Sequence, residues 1–226
     1  MFRTNQLKND LEFSNKYKKE IMNTLQNVFN QICPCIITDE IEKYKDLKEN
    51  ADYVIDFLGE RCNLAVACRI RRIQTDEYFN NITMRSKVPS GKETEWDKFQ
   101  NSCGDIMFYG IENKEGNGLE FIRIINLKIF RRLIFEYRAF KGREFGAERD
   151  NKDKNGNYDG TSFRYFDLRY FPRKIGEHEL IIYESGSKKI PYNDVTYDIW
   201  KDKLKNNIYM TKPEQDIPGI QKWVTA

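Results

Sequence analysis

The residues with chemistry to offer begin at Asp56. It falls between Val54 and Leu58 on one side of the apolar stretch YVIDFL, where an ionised carboxylate is costly unless it is paired or holds a metal. A few residues on, CNLAVACRIRR alternates, so that Leu64, Val66, Cys68 and Ile70 share one face of a strand while Ala65, Ala67, Arg69 and Arg71 share the other. NNITMRSK repeats the division, with Ile82 and Met84 on one side and Thr83, Arg85 and Lys87 on the other. Small residues followed by cations on one face make a surface for an anion. Arginine presents a planar, permanently charged fork suited to phosphate oxygens, and several on one face can follow a nucleic-acid backbone. Magnesium needs about two carboxylates with waters and substrate phosphate, and a nearby cation can steady the developing charge. Asp56 and Arg69 offer one acid and that cation.

Three strands must position these groups, and the spacing predicts them as neighbours in one sheet, with an apolar side and a cationic side. Ahead of them, Phe13 to Ile32 places Tyr17, Ile21, Leu25, Val28 and Ile32 at spacings of three and four, the pattern of an amphipathic helix with Ser14 as N-cap and Pro34 at its end. A second, more polar helix is predicted around Ile41, Tyr44 and Leu47. After the strands, a helix starts near Glu93, capped by Ser90 or Thr94 and stopped by Gly104. Asp105 opens the strand IMFYGI, NKEGNG is a hairpin loop, LEFIRIINL returns, and KIFRRLIFEYRAF is a helix packed on the sheet.

Residues 140 to 160 are polar and glycine-bearing and read as a long loop. Its stretch Asn151 to Ser162 has some calcium-loop oxygens, but Asn151 and Ser162 replace the leading Asp and closing Glu, leaving a solvated turn. TSFRYFDLRYF, the strand HELIIYE and a helix in YNDVTYDIWKDKL follow. Phe163, Tyr165, Phe166, Tyr170 and Phe171 interleave with Arg164, Arg169 and Arg173. Such rings can stack on single-stranded bases, and the preferred reading is a core strand with a charged outer face. The expected fold is α/β or α+β, a central mixed sheet flanked by helices. Residues 1–140 form the core and 141–226 an extension that packs on the same sheet or makes a small subdomain.

Composition narrows the chemistry. With 38 basic and 35 acidic residues the net charge is only +3, so a binding surface must come from clustering. A single histidine, His178, leaves hydrolase triads and multi-histidine metal sites without parts. Five cysteines without paired CxxC spacing argue against a disulfide framework and a zinc knuckle. No run approaches the ~20 apolar residues of a membrane span, and MFRTNQLKND lacks a signal peptide's apolar segment. A cytoplasmic protein is expected.

The order of elements from Phe13 to Ile111 resembles the core of the PD-(D/E)XK phosphodiesterase superfamily, in which a strand hairpin carries an Asp and then an acid-x-Lys triplet. Asp56 matches the first acid. At the triplet the chain reads Ala67-Cys68-Arg69, with alanine for the second acid and arginine for lysine. A migrated carboxylate would come from Glu20, Glu95 or Asp105, with Glu95 the first choice; otherwise the site is dead. The resemblance implies magnesium held by Asp56 and Glu95, Arg69 stabilising the pentavalent phosphate, and Arg71, Arg85 and Lys87 positioning the backbone. The expected function is therefore a nucleic-acid-binding protein of nuclease-like fold, as a magnesium-dependent phosphodiesterase or endonuclease on DNA or RNA. One alternative is a non-catalytic binding or inhibitor protein, whose basic face grips nucleic acid or an acidic protein surface; Ala67 favours it. Another is an enzyme acting on a small phosphorylated nucleotide.

Overall fold

The structure is a computed structural model describing residues 12–13, 15–39, 51–72, 80–142, 145–152, 156–186 and 195–206. The Ser14 cap, the helix expected around Ile41 to Leu47 and most of the connection before the NNITMRSK strand lie outside the described residues. The expected α/β architecture with a central mixed sheet is what the structure shows. The chain divides into two compact units, each built from three stretches: Met1–Ile73, Cys103–Ile125 and Ile182–Ser187 in the first, Gln74–Ser102, Asn126–Ile181 and Lys188–Ala226 in the second.

The first unit carries β1 (Cys35–Thr38), β2 (Tyr53–Phe57), β3 (Asn63–Arg71), β5 (Ile106–Glu112), β6 (Leu119–Asn126) and β11 (Ile181–Gly186) in a six-stranded sheet of that spatial order. β1–β2 and β2–β3 are antiparallel, and β3–β5 is parallel from Val66↔Ile106 to Arg71↔Ile111. Helix α1 (Lys18–Phe29) covers one face. Tyr17, Ile21, Leu25 and Phe29 recur at helical spacing and are all at most 3% exposed, packed with Ile37, Ile55, Val66, Phe108 and Ile124. The predicted stripe ran one turn too far, because the helix stops at Asn30 and Ile32 is 70% exposed.

β3 keeps the alternation read from its residues: Leu64, Val66, Cys68 and Ile70 belong to the helix-side core. β1 is an element the spacing does not predict, since a run of four residues after Pro34 carries little periodicity of its own. Asp105 locks β3 to the start of β5, its Oδ2 accepting from Ala65 N at 2.8 Å while its own N–H donates to Ala65 O at 2.9 Å.

The second unit holds β4 (Asn81–Lys87), β7 (Ala147–Lys152) and β8 (Tyr158–Asp167) as a three-stranded antiparallel sheet with β8 in the middle. The small ladder β9 (Lys174–Ile175) and β10 (His178–Glu179) and the helices α2 (Glu95–Gln100), α3 (Leu127–Lys141) and α4 (Tyr197–Lys205) complete it. Thr94 caps α2 in a capping box with Asp97, and Asn126 caps α3, which ends on Gly142 at φ 64°. The core is aromatic. Trp96 and Phe99 of α2, Phe130 of α3, Phe166 of β8 and Phe171 meet at ring separations of 5.3–5.4 Å, each such pair adding about 0.5–1.5 kcal/mol beyond its buried area.

β4 corrects the expectation of three adjacent strands. β3 is flanked by β2 and by β5, so neither of its edges remains for β4, which pairs with β8 instead. β7 lies in the stretch read as a loop; AERDNK has no apolar alternation, and as an edge strand it buries little.

Candidate nucleic-acid interface

The six residues expected to form a site are divided between the units. Asp56, Arg69 and Arg71 belong to the first, Arg85, Lys87 and Glu95 to the second. Asp56 pairs with Asn63, six positions before Arg69 along β3 and so roughly 20 Å from it, although parity puts both on one face. Asp56 is also exposed, which removes the burial penalty that had singled it out. The carboxylate that reaches the Ala67-Cys68-Arg69 triplet is that of Asp52, whose Oδ2 accepts from Cys68 N at 2.6 Å.

The other carboxylates considered are engaged in holding backbone. Glu20 Oε1 accepts from Leu119 N at 3.2 Å, Glu95 Oε2 from Arg85 N at 3.1 Å, and Asp105 from Ala65 N. Among the described residues no group of three or more His, Cys, Asp or Glu side chains is placed to hold a metal ion.

The β3 face expected to be open and cationic is largely buried. Ala67, Met107, Tyr109, Ile111, Phe121, Arg123 and Ile125 are at most 5% exposed, while Arg69 and Arg71 are half-buried and Arg71 Nη1 donates to Tyr109 Oη at 3.3 Å. Arg123 is fully buried, its Nε 2.7 Å from Glu184 Oε1 and its guanidinium 4.1 Å from the Phe121 ring centre. At the carboxyl ends of β3 and β5, Tyr17 Oη donates to Glu112 Oε1 at 2.5 Å and Lys16 Nζ lies 3.1 Å from the same oxygen. The Tyr17 hydroxyl, with Lys16 beside it, holds the Glu112 carboxyl below the ordinary carboxylate range.

The second unit assembles cations and rings in another way. Phe163 and Tyr165 sit two apart on β8, on the face away from the core side chain Phe166. In register, Phe163 has Arg85 of β4 on one side and Arg149 of β7 on the other, and Tyr165 has Thr83 and Ala147. Arg85 lies over the Phe163 ring at 5.9 Å and Arg149 over the Tyr165 ring at 5.3 Å. Both rings are half-buried, Arg85 is exposed and Arg149 half-buried.

The strand thus divides its residues contrary to expectation. Arg164 faces the core, with its guanidinium 4.8 Å from the Trp96 ring centre, while two aromatic rings take the outer face. Lys87 does not join the row. A bulge between Arg85 and Lys87 shifts its register, and its ammonium lies 3.8 Å from Glu148. Arg149 was missed because its strand was read as a loop; the i, i+2 spacing of Phe163 and Tyr165 was the available signal.

Two rings spaced by about 6.7 Å on the middle strand of a small sheet, with an arginine from each neighbouring strand, can stack planar bases and take the linking phosphates. No known protein family matches this sequence, and no curated protein or solved structure is significantly similar to it.

Proposed function

We propose that this protein binds single-stranded nucleic acid on the β4–β8–β7 sheet face. The observation that carries the reading is the row Arg85–Phe163–Arg149, in register across three strands, with Tyr165 two residues along and under Arg149. Every base has a π face, so stacking on Phe163 and Tyr165 tolerates any sequence, and two guanidiniums beside the rings supply charge where an extended strand carries its phosphates. A duplex hides its base faces and gains only the electrostatic part.

Titration of labelled single- and double-stranded DNA and RNA into the protein, with magnesium, with manganese and with chelator, tests the proposal. Single strands are expected to bind more tightly than duplexes of equal length, in chelator as in magnesium. Equal affinity for both forms, or no binding, would overturn it. The same tubes read cleavage, the outcome expected of a magnesium-dependent phosphodiesterase.

A further inference from the structure

We infer that the β4–β8–β7 sheet face reads one base of its strand, through Asp159 and Asn151, and that the base is guanine. This rests on the single-strand reading above and names the strand that site prefers. Asn151 follows Arg149 by two residues on β7, so it lies on the same face about 6.7 Å further along. β8 answers it with a bulge: the register moves from Ser162 to Tyr158 on β8 while it moves only from Asp150 to Lys152 on β7. Gly160, at φ 88°, sits in that bulge.

The bulge brings Asp159 against Asn151. Asn151 Nδ2 donates to Asp159 Oδ2 at 2.6 Å, and Thr161 donates twice to Asp159 Oδ1, from its N–H at 2.8 Å and from its hydroxyl at 2.6 Å. Three neutral donors thus fix an exposed carboxylate. Among the described residues no lysine or arginine pairs with it. A carboxylate offers about four lone-pair sites. Oδ1 has two of its acceptor positions filled and Oδ2 one, which leaves Oδ2 open to a further donor. The Asn151 amide that touches Oδ2 carries its own Oδ1 as a second acceptor beside it.

Two neighbouring acceptors, one of them charged, call for two neighbouring donors. On its Watson–Crick edge guanine alone presents them, as N1–H and the N2 amino group. Adenine and cytosine offer one amino group beside an acceptor nitrogen, and uracil and thymine one N–H between two carbonyls. A strand whose successive bases stack on Tyr165 and Phe163 carries its next base to this end of the sheet, with its phosphates beside Arg85 and Arg149. The carboxylate repels phosphate, so a base edge meets it and the backbone does not. The rings accept any base, and Asp159 adds the choice.

Fluorescence anisotropy on the intact chain, in chelator, tests this. The probes are labelled uridine strands of about ten nucleotides, each with one central guanine, adenine or inosine, and one uniform strand. Adenine controls for the stacking of a purine. The guanine strand is expected to bind about five- to a hundredfold more tightly than the adenine strand, the worth of a bidentate base contact. Inosine, which keeps N1–H and lacks the amino group, should lose part of that advantage, and Asp159→Asn should bring the guanine-to-adenine ratio to within about twofold. Equal binding of guanine and adenine strands, inosine as good as guanine, or a guanine advantage that survives in folded Asp159→Asn protein overturns the inference and leaves the single-strand site standing. Failure to bind any of the strands, the uniform one included, defeats that site and the inference with it.

Discussion

Removing Glu184 should unbalance the first unit more than removing the arginine it serves. Arg123 is fully buried on β6, its Nε 2.7 Å from Glu184 Oε1 on the neighbouring β11, and Glu184 keeps 12% of its side chain exposed. Glu184→Ala takes its carboxylate from a guanidinium that lies out of reach of water, and breaking a buried pair from one side costs about 3–5 kcal/mol. At about 2–4 °C per kcal/mol for a protein of this size, that is a fall in Tm of roughly 6–20 °C. Arg123→Met instead leaves a carboxylate that reaches solvent. No uncompensated buried charge is left, and the main loss is the contact with the Phe121 ring at 4.1 Å, about 2 kcal/mol when desolvated, so its effect should be about half as large. The double change Arg123→Met/Glu184→Leu removes both charges and should recover most of the loss, as apolar replacement of buried pairs does. Urea unfolding of the four proteins, followed by circular dichroism, completes the cycle. A Glu184→Ala protein within about 1 kcal/mol of wild type, or a double variant no better than the worse single one, would refute the reasoning.

Phe163→Ala and Tyr165→Ala should each weaken single-strand binding by about 1–3 kcal/mol, read by fluorescence anisotropy; Arg85→Ala/Arg149→Ala should flatten the salt dependence by about 1.4 in log–log slope, two phosphates at about 0.7 each. Glu112 titrates below an unfolded carboxyl, so its contribution is present above the unfolded value of about 4.3 and disappears as pH falls through the lower folded value. Glu112→Gln should therefore melt below wild type at pH 7, with the gap closing on acidification toward pH 3; a gap constant with pH would assign the effect to packing. Asp56→Asn should leave stability within about 0.5 kcal/mol, because the side chain is exposed, and a clear drop in Tm would restore a paired role. Gly146 sits at φ 88°, where an added Cβ would come within 2.5 Å of Tyr165 O; Gly146→Ala should cost more than about 1 kcal/mol in a thermal melt and weaken binding by tilting Tyr165.

Strong local signals carried the elements. The Tyr17–Ile21–Leu25 stripe, the Thr94 cap, the turn at 113–118 and the apolar helix from 127 were all readable, because each depends on residues within one or two turns of chain. β1 and β7 were not, one for shortness and the other for want of alternation. Parity grouped the side chains of β3 correctly, yet it left open which face of β8 turns outward, and it says nothing about which strand lies next door. That choice depends on partners far along the chain, and it took Arg85 away from Arg69 and set it beside Phe163. Asp56 shows the same limit: its apolar neighbours suggested burial, and its place near the end of β2, before the Gly59 turn, makes it exposed.

The interleaving of the two units bears on how the chain can be made and handled. The six-stranded sheet takes its last strand from residues 181–186, after the chain has left for the second unit twice. A chain emerging from the ribosome at about 5–20 residues per second must hold five strands of that sheet without their edge partner until β11 appears. Two long excursions also raise contact order, which slows folding and prolongs the exposure of that edge. No single cut releases either unit whole, so a fragment ending after α3 lacks the arginine row's β7 and β8 as well as the sheet's closing strand. Expression at reduced temperature and study of the intact chain follow from the threading itself.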